Sequence, residues 1–172
     1  FVRRSALLLT GGFDGRFTRA WREDSDLHFS IMERCGPVGR AERAVVVHPV
    51  RPARWGISLS QQANVYFDAL LFKKHPSLYL DRVRSRPPWR YFAIVGATLA
   101  APLAAASGLP WGAAVLALLA IAGILGFALE RLSRTSLAPY HVLEMLLTSA
   151  AIPFLSVFWR LRAAWHFRVL FP

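Results

Sequence analysis

Cysteine is almost missing from this 172-residue chain, and the single one, Cys35, excludes an internal disulfide and any cysteine-based zinc cluster. Lying in the apolar-patterned stretch Leu27–Cys35, it is expected to be a buried thiol. Acids are scarce as well, 10 against 21 Lys and Arg, for a formal net charge of +11. At the start there is no n-region, apolar h-region and cleavage site, so no signal peptide is visible. Opening at Phe1 directly into a basic, apolar stretch, the chain reads as beginning inside a longer protein. No repeat of solenoid period occurs. The deepest absence is charge of either sign between Tyr91 and Leu129, 39 positions, which excludes a simple soluble globule. A hydrophobic fraction of 55% with 13% aromatics equally excludes a disordered basic tail.

A spanning helix takes roughly 20 apolar residues, so this uncharged run is nearly two spans long. It breaks at Ser107-Gly108-Leu109-Pro110, where Gly and Pro mark a turn and Pro suits the first turn of a new helix. The reading is an antiparallel hairpin, about 91–108 and 111–129, with Gly112, Ala113, Ala117, Ala120 and Gly123 allowing close contact. Lys73, Lys74, Arg82, Arg84, Arg86 and Arg90 precede it, Arg131 and Arg134 follow it, and the turn is uncharged. Both flanks are therefore expected on the cytoplasmic side of an inner membrane, against anionic lipids. A third apolar region, 140–159, carries Glu144 and Pro153 and runs into Arg160, Arg162 and Arg168. The region is long enough to span, but Phe154, Phe158, Leu161 and Trp165 recur beyond its middle at helical spacing, which favours a helix lying in the interface over one that crosses.

Residues 1–90 mix two kinds of signal. Phe1–Leu9 and Glu23–Cys35 read as helices, stopped by Gly11-Gly12 and Gly36. Ala44–His48 (AVVVH) reads as a buried strand. Ser58-x-x-Gln61 has the form of a capping box opening an amphipathic helix through Leu71 that ends before Pro76. This makes the expected class an α/β fragment followed by a transmembrane hairpin and an interfacial C-terminal helix. One strand cannot make a sheet, so the remainder is expected upstream or on a partner. The expected division is 1–56, 57–90 (amphipathic helix and basic juxtamembrane segment), 91–129 and 130–172.

The densest polar cluster is Gly11-Gly12-Phe13-Asp14-Gly15-Arg16-Phe17, then Trp21-Arg22-Glu23-Asp24-Ser25-Asp26-Leu27. Together with AVVVH, a helix, a basic stretch and membrane helices, it resembles the acceptor-side motif of inverting family 2 glycosyltransferases, GGFDE-x-F followed by W-x-ED-x-DL. Residues 1 to about 80 carry the resemblance well, the membrane tail loosely, and Gly15 stands where Glu is frequent. The resemblance implies a GT-A fold on the cytoplasmic face and transfer, with inversion, from a nucleotide-diphosphate sugar to a glycan or lipid-linked acceptor, as in making cell-envelope polysaccharide. By position Asp24 matches the catalytic base, with Glu23 beside it; the base would take a proton from an acceptor hydroxyl. Gly12, Phe13, Asp14, Trp21 and Asp26 are implied around the sugar pocket. Arg54 and Trp55, with Arg51, resemble part of an acceptor-holding Arg-Trp pattern, whose full form is absent. His48 matches a position that contacts metal or diphosphate in some GT-A enzymes, and a divalent cation (Mg or Mn) is implied.

Asp24-Ser25-Asp26 also spells D-x-D, but it opens a helix after Trp21-Arg22-Glu23 instead of closing an apolar strand. The metal motif and the donor-binding half are thus expected outside these residues. The residues themselves leave a second reading open, a non-catalytic membrane anchor or assembly module in which Glu23, Asp24 and Asp26 only cap a helix. Binding to nucleic acid is not expected, because the Lys and Arg cluster beside a span and no nucleic-acid motif occurs.

Overall fold

Glycine and proline set most of the helix boundaries in the computed structural model, which describes residues 1–49, 52–133 and 135–172. Helix α1 (Arg4–Thr10) stops where Gly11 and Gly12 take left-handed φ values of 82° and 73° and both return their N–H groups to the Leu7 carbonyl at 3.0 Å. Helix α2 (Glu23–Cys35) carries three acids in its first turn and Arg34 in its last, favourable at both dipole ends, and stops at Gly36. Short α3 (Ile57–Gln61) passes through a 3-10 turn at Gln62–Asn64 into α4 (Val65–Lys74). Pro76 opens α5 (Pro76–Arg82), and Pro110 opens α7 (Pro110–Leu132) after α6 (Trp89–Ala106). Helix α8 runs from Pro139 to Phe167.

The α/β expectation is overturned. Every regular element is helical, and no strand occurs among the described residues. Ala44–His48 has no regular structure, with Val45, Val46 and Val47 more than 80% exposed. A β-branched run favours a pleated surface only when a neighbouring strand is there to supply hydrogen bonds and packing. Cys35 ends α2 and is exposed, not buried. The capping box does not form: α3 starts earlier, from left-handed Gly56, and Ser58 lies inside it. Side-chain bonds from Ser60 to the Ile57 carbonyl and from Gln62 to the Ser58 carbonyl accompany the break before α4.

Two compact units result. The first comprises residues 1–53, 66–86 and 163–172. Its core joins Phe17, Phe29, Phe67, Leu70, Leu71 and Tyr79, with Phe17 and Phe67 rings 6.0 Å apart. The second comprises 54–65 and 87–162 and is built on the α6–α7 hairpin. Ile94, Ala120 and Ala128 are buried there, and the Tyr91 and Phe127 rings meet edge-on at 5.3 Å. The turn between the two helices is Ser107–Leu109, as the sequence requires.

Helices α6, α7 and α8 are each long and apolar enough to cross a membrane. Only 6% and 11% of the apolar windows of α6 and α7 are buried, so Leu99, Leu103, Val115, Leu118, Ile121 and Leu125 face outward. In water such a surface would be unstable; in lipid it is the ordinary exterior of a hairpin. The chain is accordingly a membrane protein in character. For α8 the buried share is 44%, a different environment. Pro153, fully buried, lies inside α8 without ending it.

Candidate functional site

The polar cluster of unit 1 is assembled by three elements: the loop after α1, the first turn of α2, and the end of α4. Left-handed Gly11 and Gly12 turn the chain sharply, and Asp14 then folds back on its own loop. Its carboxylate accepts from the Arg16 backbone N–H at 3.0 Å and from the Arg16 guanidinium at 2.7–3.1 Å. Lys74 reaches it from α4 at 2.7 Å. The Arg16 guanidinium, and less strongly Lys74, holds the Asp14 carboxyl well below the usual carboxylate range.

Lys74 also donates to Asp26 at 2.7 Å, so one ammonium joins two carboxylates. Asp26 is 2% exposed. The Nε2 of His75 lies 3.1 Å from Asp26 and its Nδ1 lies 2.8 Å from Glu33, which places the imidazole between two acids of α2. Burial pushes the Asp26 carboxyl up, but hydrogen bonds from His75 and Lys74 outweigh this and leave it below its ordinary value. Asp68 of α4 grips the other side of the same turn: it accepts from Arg22 Nε at 2.6 Å and from Trp21 Nε1 at 3.3 Å. Arg22, the residue before α2, has a left-handed φ of 74°, uncommon for a residue with a Cβ.

Between these clamps Asp24 alone of the Glu23–Asp26 acids is exposed. Its Oδ1 accepts from the Ser25 backbone N–H at 2.7 Å. It lines a cavity of about 550 Å³ with Phe13, Leu27, His28, Ile31 and Cys35. Glu23 keeps its Oε2 buried with no hydrogen-bond partner. A second cavity, about 370 Å³, is lined by Gly11, Gly12, Phe13, Asp14, Asp26, Glu33, Lys74 and His75. Phe13 borders both.

The structure thus brings Gly12, Phe13, Asp14 and Asp26 to one cavity and Phe13 and Asp24 to another. Two residues implied for the sugar pocket have other partners here: Trp21 bonds Asp68, and Asp26 is a buried ion-pair member. Arg54 and Trp55 are exposed residues of unit 2. Arg51 lies outside the described residues, as does Arg134. His48 is exposed in the irregular segment after α2, and no group of three or more His, Cys, Asp or Glu suited to a metal ion occurs among the described residues. Lys74, His75, Glu33 and Asp68 were missed in the sequence reading, which assigned Lys74 to the basic lipid-facing stretch. The signal was there: Lys74 follows Phe67, Leu70 and Leu71 at helical spacing, and so falls on the apolar face of α4 where a solvated cation does not belong, with His75 next to it. No protein-family model matches the chain, and no curated protein or solved structure matches it.

Proposed function

We propose that this chain is the C-terminal, acceptor-side portion of an inverting glycosyltransferase held at the cytoplasmic face of a membrane. The observation that supports this best is the exposure of Asp24 on a cavity wall while the residues around it are clamped. Trp21 and Arg22 before it, and Asp26 after it, are all tied to α4, so the backbone that carries Asp24 is fixed and its carboxylate is left to act. Catalytic groups profit from such preorganisation. Asp24 would accept the proton of an acceptor hydroxyl as that oxygen bonds the anomeric carbon. The bond from that carbon to the nucleoside diphosphate breaks on the opposite face, with inversion. The acceptor is a hydroxyl of a membrane-proximal or lipid-linked glycan.

The test is Asp24→Asn in the full-length protein, assayed with membranes and a panel of radiolabelled nucleotide sugars. Loss of a general base is expected to lower transfer by about 10²- to 10⁴-fold with helical content unchanged. Unaltered transfer, or none in the parent protein, would favour the non-catalytic anchor instead.

A further inference from the structure

Helix α8 is amphipathic in the inverted sense. Leu143, Leu147, Ala150, Phe154, Phe158 and Leu161 fall within about 80° of one another at 100° per residue. All but the half-buried Phe154 are exposed. The opposite side is the buried one, and it mixes Met145 and Ile152 with polar residues: Thr148, Ser149, Ser156 and Arg160 are at most 4% exposed. A helix in water turns its polar side outward, so this arrangement calls for an apolar medium along the outer stripe.

The geometry points to α8 lying in the plane of the membrane surface, its stripe in the lipid, and not crossing. The decisive contact is Arg131, in the last turn of α7. Its guanidinium donates to Thr148 Oγ1 at 2.7 Å and to Ser149 Oγ at 2.8 Å, and reaches Ser58 Oγ at 3.3 Å. Nearby the Gly56 N–H donates to Glu144 at 2.7 Å. These polar groups mark the level at which the hairpin leaves the bilayer, and Thr148 sits at that level. From there a crossing helix would carry Arg160 and Arg162 about 18–21 Å deeper at 1.5 Å per residue, well inside a hydrocarbon core of about 30 Å. Turned away from the membrane, the helix would hold its leucines and phenylalanines in water. Nor does α8 pack lengthwise on α6 or α7, as a third span of a bundle would. In the plane, the stripe is solvated by acyl chains, and exposed Arg162 sits at the height of anionic headgroups. The occupant of the stripe is lipid, continuous with the lipid around the hairpin.

This rests on α6 and α7 crossing the bilayer, so the experiment carries a control for that. The whole chain with Cys35→Ser is reconstituted in phosphatidylcholine–phosphatidylglycerol vesicles with single nitroxide-labelled cysteines at Leu147, Phe154, Phe158 or Leu161, and at Leu118 of α7. Depth is read from relative collision with oxygen and a nickel chelate. The four α8 sites are expected at one shallow depth and Leu118 deep. A depth that grows along α8, by about 20 Å from 147 to 161, overturns the proposal, as does full water access at all four. Spin–spin broadening at Phe158 that rises with protein-to-lipid ratio would show a second copy on the stripe and overturns it too. Water access at Leu118 would instead fail the hairpin, and the inference with it. A second measurement leaves α8 untouched: Leu170→Cys and Arg84→Cys are expected to react with an impermeant maleimide from the same side, and reaction from opposite sides would show a crossing.

Discussion

Lys74 joins two carboxylates that would otherwise repel, and one of them, Asp26, is only 2% exposed. Removing the ammonium therefore does more than delete a surface pair; it leaves a desolvated charge. Lys74→Met is expected to destabilise the protein by about 3–5 kcal/mol, whereas Arg16→Ala, which breaks a pair whose cation is mostly exposed, is expected to change it by less than about 1 kcal/mol. Denaturant unfolding followed by circular dichroism measures both. The pH response follows from the same atoms. Asp14 and Asp26 are both depressed below their unfolded values, near 4, so the stability they give is present in full above that range. It drains away as pH falls toward the folded values. A melting series from pH 6 to pH 2 should show this acid-labile increment in the parent chain and a smaller one in Lys74→Met.

At the scale of elements, the hairpin is held by shape. A Cβ added at Gly123 would stand 2.7 Å from Ile94 Cγ1, closer than carbon atoms approach, and Ile94 is 3% exposed with little room to turn. Gly123→Ala is expected to weaken the α6–α7 pairing by about 1–3 kcal/mol, read as an earlier transition in denaturing-detergent titration, while Gly126→Ala, with open space around it, should be neutral. These helices were legible in the sequence to within a few residues because an uncharged apolar run broken by Gly and Pro has few other solutions. The lack of a strand at Ala44–His48 was not legible, since strand identity depends on partners that local residues do not name. The site divides the same way. Asp14, Asp24 and the glycine turn could be read from their pattern, being adjacent in the chain. The Asp26–Lys74–His75 network could not be located, because it closes over a separation of nearly fifty residues through packing of α2 on α4. Only the misplaced polarity of Lys74 and His75 betrayed it.

For the whole molecule, the orientation proposed above rests on charge asymmetry. Arg90 pairs with Glu130 and Arg131 sits in the final turn of α7, so both ends of the hairpin that carry cations are the same end, and the Ser107–Leu109 turn is the other. With Cys35→Ser as background, Leu109→Cys is expected to react with an impermeant maleimide on intact cells, and Arg84→Cys only after permeabilisation. Labelling of both in intact cells, or of neither, would contradict the orientation.

Arg22 holds a left-handed backbone that costs a residue with a Cβ about 1–2 kcal/mol, and its ion pair with Asp68 offsets that cost. The two positions are therefore bound to drift together through evolution. A lineage that neutralises residue 68 loses the restraint on residue 22 and gains by substituting glycine or asparagine there. The ancestry of this turn should record paired replacements and few single ones.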